Sequence, residues 1–324
     1  MVFKKENSQI NDLIFRELIK RGYSLEGNTR IWNIADSKLW YLTPEQAQAY
    51  LDLEESQDYK KDTGQPQGED LIQNNAKEIL DLMGNESFNI IDLGCGDGKK
   101  AFKLVLELKK VNPLIKIRYC PVDISGYMVE KAKKTFSSSD IDKVIEFQYN
   151  ISDFENLDNI IPLLRKNEFK NNLILLLGNT LGNFEIHELL YGIRSNMKED
   201  DLFVVDTAID DKKQKERVLS YKNNKRANDW LIKIPMQLGL KDEDVEIGFR
   251  WNNPRIEGYY TIKNDKKVKF QNKEVNFLKG DQIIIIVAYK HELEDIKSYL
   301  NIHFNNVNAK VSSDYSKILA LCRK

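Results

Sequence analysis

Apolar positions follow two rhythms along the chain. Near the start, Ile10, Leu13, Ile14 and Leu18 recur at helical spacing, so residues 1 to about 56 read as a polar helical segment. The stretch from Glu54 to Gly68 is polar, holds Gly, Pro and Gln, and reads as a mobile loop. From residue 69 the pattern alternates. Helix 69–83 leads to an apolar strand at 88–94, helix 99–110 to a strand at 115–124, and helix 126–136 to a strand at 144–151. A further helix precedes the strand at 172–178, and helix 185–197 precedes the strand at 202–206. Strands that are apolar at nearly every position suit a parallel sheet covered on both faces, so the fold class is α/β. Between about 211 and 281 the rhythm breaks, and this part reads as an inserted α+β lobe. An apolar strand at 282–289, a helix at 291–301 and a strand near 317–323 are expected to complete the core sheet. The expected organisation is therefore 1–68, 69–210, 211–281 and 282–324.

Composition narrows the function classes. Of 324 residues, 31% are charged, yet the net charge is only -1, which argues against a general nucleic-acid binder. Cys95, Cys120 and Cys322 are scattered and form no CxxC pair, and the three histidines lie far apart, so no metal site is expected. No apolar run suggests a signal peptide or a membrane span. A cytoplasmic monomer acting on a small molecule is the expectation. Lys-rich runs such as KKDTG and DDKKQKER read as solvated surface.

The candidate chemistry lies at strand ends. Asp92-Leu-Gly-Cys-Gly-Asp-Gly98 follows one strand and precedes a helix, and Gly94, Gly96 and Gly98 allow a sharp turn and close approach of a ligand. The spacing is GxGxG, not the GxGxxG that presents a helix N-terminus to a pyrophosphate. A cofactor without phosphate, such as S-adenosylmethionine (SAM), needs closeness here rather than an anion cradle. Asp123 ends the next strand and can accept hydrogen bonds from ribose hydroxyls, whether of SAM or of a nicotinamide cofactor. Ser125 is a candidate helix cap. Asp153 and Phe154 follow the third strand, where a carboxylate could accept from an adenine amino group and a ring could pack on the base. Gly178 ends the fourth strand, and Asn183 stands just beyond it as a neutral donor and acceptor, or else as a helix N-cap.

With these residues in place, the chain resembles the histidine-specific SAM-dependent methyltransferases. That family includes the trimethylating enzyme of ergothioneine biosynthesis and the dimethylallyltryptophan N-methyltransferases. DLGCGDGKK, YCPVDISGYMVEKA, Asp153-Phe154, LLLGNTLGNF, VLSYKN and FRWNNPRIEG carry the resemblance, over roughly residues 88 to 290. It implies a Rossmann-like class I methyltransferase fold with SAM as cofactor. Gly94, Gly96, Gly98 and Gly178 would border SAM, Lys100 its methionine end, Asp123 its ribose, and Asp153 with Phe154 its adenine. Asn183 and Tyr221 would hold the amino and carboxylate groups of an amino-acid substrate, with Tyr50 as a further substrate tyrosine. The family's histidine enzymes grip the imidazole with a Glu and a Ser in the strand before a Lys; aligned on Lys290, those positions are Ile286 and Ala288. A family methionine is Gly258, which suggests a roomier pocket. The resemblance thus implies N-methylation of a small amino-acid-like substrate other than histidine, aromatic or apolar. A protein methyltransferase and a non-catalytic SAM-binding protein are the alternatives.

Overall fold

The strand Phe88–Leu93 is buried at every position, its polar Asn89 and Asp92 included, and it lies inside a seven-stranded sheet; Asn89 donates to Asn172 Oδ1 at 2.9 Å and Asp92 accepts from Tyr119. In the computed structural model, which describes residues 10–63, 65–84, 86–137, 141–211 and 213–324, the sheet order runs from Asn306–Val311 through Lys317–Arg323, Leu202–Ala208, Asn171–Leu176, Phe88–Leu93 and Ile117–Val122 to Lys143–Val144. The strands from Leu202–Ala208 to Lys143–Val144 are parallel; Lys317–Arg323 pairs antiparallel with Leu202–Ala208, and Asn306–Val311 antiparallel with it. Helix Lys99–Val111 buries Ala101, Leu104, Val105 and Leu108, one stripe at helical spacing, and these join Ile90, Tyr119 and Leu175 on one face of the sheet. Ile91, Ile174 and Phe203 face the other way, toward Leu190, Ile193 and Leu300. Successive strands lie on opposite sides of Phe88–Leu93, so the strand order reverses between it and Asn171–Leu176. Ligands of open α/β sheets bind at the carboxyl ends of strands beside such a reversal.

The chain divides into two compact units. The sheet just described belongs to the unit formed by residues 54–212 and 290–324. Residues 1–53 and 213–289 form the other unit. Its five-stranded sheet runs Ser24–Glu26, Thr29–Asn33, Gln282–Tyr289, Arg255–Ile262, Val245–Asn252, and a hairpin joins Lys266–Phe270 to Lys273–Phe277. Phe15 packs on Phe270 and Trp32 on Phe277, with centroids 5.4 and 5.3 Å apart.

Four expectations need correction. The strand at 282–289 does not complete the core sheet; it pairs with Thr29–Asn33 and Arg255–Ile262, so a segment read as purely helical contributes strands to the second sheet. The stretch from Glu54 to Gly68 is not a loop, because helices Gln57–Asp62 and Gln65–Asn74 occupy most of it. Of the expected strand at 144–151, Val144 joins the ladder in the short strand Lys143–Val144 and Ile151 makes an isolated parallel bridge to Asp123, with a 3-10 turn, Gln148–Asn150, between them. The helix expected next is a run of 3-10 turns, Phe154–Asn159 and Pro162–Leu164. The first nine residues of the expected N-terminal helical segment lie outside the described residues, as do Gly64 and Lys212 of the Lys-rich runs. Among the described residues, no helix is long and apolar enough to cross a membrane.

Candidate active site

The turn after Phe88–Leu93 sits at the strand-order reversal. Gly96 has φ +54°, its N–H donates to Asp123 Oδ2 at 3.1 Å, and a Cβ built on it would meet nothing within 4 Å. The loop therefore leaves open space directly above its backbone. Gly98 is the opposite case: at φ +75° its Cβ would come within 3.0 Å of the Ala132 backbone, so only glycine lets the next helix start this close to helix Gly126–Phe136.

Asp123 is 8% exposed and takes the N–H groups of Gly96 and Ser125, one on each oxygen. Burial pushes its pKa up to about 6, against the pull of those backbone donors. The carboxylate keeps acceptor capacity for ribose hydroxyls beyond these backbone donors. Ser125 stands at the N-cap position but makes no side-chain cap bond. Asp92, deeper in the strand, accepts from Tyr119 Oη at 2.8 Å, and burial raises its pKa to about 7.

Backbone bonds between Asp123 and Asn150 and between Ser152 and Asp123 set the third strand end beside the second. Asp153 lies next in the chain, where its Oδ1 takes the Asn156 amide at 2.8 Å, while the Phe154 ring lies 4.9 Å from Phe184. On the other side of the glycine loop, Lys100 reaches toward Gly178, and a Cβ on Gly178 would stand 3.0 Å from its Nζ. Burial opposes the charge of Lys100, but Glu54 and Asp206 outweigh it and raise the pKa. Asn183 closes the turn Thr180–Asn183 and is not the cap of the following helix; Glu185 caps Ile186–Asn196 by accepting from the Glu188 N–H at 2.9 Å.

Charged groups hidden in apolar strands support this turn and were missed in the sequence. Asp206 Oδ1 accepts the Gly178 N–H at 2.5 Å, and Lys317 Nζ donates to Asp206 Oδ2 at 3.0 Å and to Asn179 Oδ1 at 3.1 Å. A lone Asp ending Leu-Phe-Val-Val-Asp and a lone Lys opening Lys-Ile-Leu-Ala-Leu-Cys were the available signals.

In the other unit, Tyr221 lies in the turn Val218–Asn223 with its ring edge-on to Phe249, centroids 5.9 Å apart. Tyr50 lies 5.1 Å from both Tyr41 and Trp230. Gly258 lies opposite Phe249 on one side and Ile286 on the other. A Cβ on Gly258 would fall 2.5 Å from Ile286 Cγ2 and 2.9 Å from Phe249 Cε1. The expected extra room at Gly258 is thus filled by its neighbours. Ile283, Ile284 and Ile285 are buried, whereas Ile286 and Ala288, beyond a shift in strand register, are half-buried on one face.

Open space above Gly96, a buried acid with free acceptor sites and a carboxylate–aromatic pair at the next strand end fit SAM, the methyl donor of one large class of transferases. The family model described as histidine-specific methyltransferase, SAM-dependent, matches residues 66–322; the chain belongs to this family and is a SAM-dependent methyltransferase. Similar solved structures include an S-adenosylmethionine-dependent methyltransferase from Clostridium acetobutylicum ATCC 824, with 16% identity over 80% of this chain and 91% of that one and a TM-score of 0.39. The PH0226 protein from Pyrococcus horikoshii OT3 is 13% identical over 86% of this chain and 98% of that one, TM-score 0.43. Magnesium protoporphyrin IX methyltransferase from Synechocystis PCC 6803 is 12% identical over 86% and 93%, TM-score 0.43. No curated protein matches the chain. Among the described residues, no group of three or more His, Cys, Asp or Glu is placed to hold a metal ion.

Proposed function

We propose that the chain methylates the amino nitrogen of a small amino-acid-like substrate whose side chain is apolar or aromatic rather than imidazole. The observation that carries this reading is the half-buried apolar pair Ile286 and Ala288, which the family resemblance, aligned on Lys290, matches to the Glu and Ser that hold the imidazole in the histidine enzymes. An imidazole set against these side chains would lose its hydrogen-bond partners, at a cost of about 1–3 kcal/mol for each nitrogen left unpaired. The Phe249 ring and Ile286 over Gly258 extend the same apolar surface.

Bound SAM supplies an electrophilic methyl group on a sulfonium. The residues need to hold a neutral amine in line with it, and such positioning is worth about 7–11 kcal/mol. An α-amine has an ordinary pKa of about 7.7–8.0, so neutral amine is present near pH 7 and no strong base is required. By the family resemblance Asn183 serves the substrate amine, whose N–H its side-chain carbonyl can accept to aim the lone pair, and Tyr221 serves the substrate carboxylate, to which its hydroxyl can donate. Calorimetry in the presence of the demethylated cofactor, S-adenosylhomocysteine (SAH), tests the preference. L-Tryptophan or L-leucine should bind at least about fivefold more tightly than L-histidine, the smallest factor one unpaired nitrogen implies. The reverse order would sink the proposal.

A further inference from the structure

Lys100 occupies the first turn of helix Lys99–Val111, directly after the glycine loop, and its ammonium lies over Gly178 at the end of the neighbouring strand. Glu54 meets it there, Oε1 to Nζ at 2.5 Å. The two side chains are only 16% and 25% exposed, in contrast to the adjacent pair Glu55–Lys99, at 61% and 56%. A well-covered ion pair at the mouth of a cofactor loop contributes little to stability after desolvation, so its position calls for another explanation.

The charge pattern supplies one. Behind Glu54 and Lys100 stand Asp206, whose charge acts on Lys100, and its partner Lys317, which feels both Lys100 and Glu54. The four charges sum to zero and alternate in sign. Such an array suits a ligand that is itself neutral overall but carries both signs. An α-amino acid is that ligand: laid antiparallel to a Lys–Glu pair, its ammonium faces the carboxylate and its carboxylate faces the ammonium. The Lys ammonium has two donors beyond the one it gives Glu54, and the Glu carboxylate has further acceptor sites, so both can serve the ligand without parting.

We propose that Glu54 and Lys100 together form the receptor for the methionyl end of SAM, Glu54 taking its α-ammonium and Lys100 its carboxylate. Glu54 is then a cofactor-binding residue in its own right, contributed by the end of helix Pro44–Glu54.

Binding of four ligands, measured by calorimetry on the full chain, separates the roles. SAH and 5′-methylthioadenosine share the thioether nucleoside and differ by the amino-acid end; SAM and decarboxylated SAM differ by the carboxylate alone. Glu54→Gln should weaken SAH and decarboxylated SAM by about 10–100-fold, the range for a hydrogen bond to a charged group, and leave methylthioadenosine within about twofold. Lys100→Met should weaken SAM by a similar factor and spare decarboxylated SAM. Glu55→Gln, at the exposed pair, should leave all four unchanged. The proposal is overturned if Glu54→Gln leaves SAH binding intact or tightens it, since Glu54 would then be a spectator or a competitor for Lys100. It also fails if methylthioadenosine weakens equally, or if decarboxylated SAM is spared, because Glu54 would then only support the fold or aim Lys100. Should the variants not fold, wild-type protein decides: methylthioadenosine binding as tightly as SAH contradicts any receptor for the amino-acid end.

Discussion

Lys317→Met should destabilise the unit that carries the glycine loop by about 3–5 kcal/mol, the cost of removing one partner of a buried ion pair. Lys317 and Asp206 are 2% and 3% exposed, and the Lys317 ammonium also holds Asn179. Burial lowers the pKa of Lys317, and Asp206 pulls it back up. Without the lysine, Asp206 keeps the Gly178 N–H but sits as an uncompensated charge beneath the turn that ends at Asn183. Lys317→Met with Asp206→Leu should recover much of the loss, because the unpaired charge disappears with its partner. Denaturant unfolding measures both variants; a single-variant loss below about 1 kcal/mol, the scale of an exposed pair, contradicts this picture.

Asp123→Asn should weaken SAM binding by about 10–100-fold, since charge-assisted hydrogen bonds to ribose hydroxyls become neutral ones and the amide NH2 faces backbone donors. The wild-type protein should show a matching pH dependence. The free Asp123 carboxyl titrates at about 6. Ribose hydroxyls favour its ionised form, so binding lowers that pKa and affinity falls as pH drops through 6. Above pH 7 affinity should be flat, and Asp123→Asn should remove the acid limb. Calorimetry between pH 5 and pH 8 tests this; a variant that keeps the acid limb assigns it to another group.

The glycine loop and the four strands around it were legible because each strand is buried on both faces at most positions, which forces a predominantly apolar run. The sequence was less legible where a side chain redirects the backbone. In Val144–Ile151 the alternation resembles a strand, but the Asn150 side chain takes the Phe147 N–H and donates to the Ile145 and Pro121 carbonyls, folding the segment into a turn. Pro66 suggested a loop yet stands in the first turn of helix Gln65–Asn74, where its missing N–H has no cost. The apolar run at 282–289 announced a buried strand without naming its neighbours, because pairing with residues 29–33 is a long-range choice. The site divides in the same way. Asp123 and Gly96 each stand in a recognisable strand-end motif and share one hydrogen bond, whereas Glu54, which lies in no motif, meets Lys100 across 46 positions of chain.

The nature of the methyl acceptor is tested most directly by supplying SAM labelled in its methyl group together with an equimolar mixture of free L-amino acids and reading the products by mass spectrometry. Label on the α-nitrogen of an apolar or aromatic amino acid, with histidine little modified, is the expected result. Preferential methylation of histidine, or label confined to protein, would contradict it.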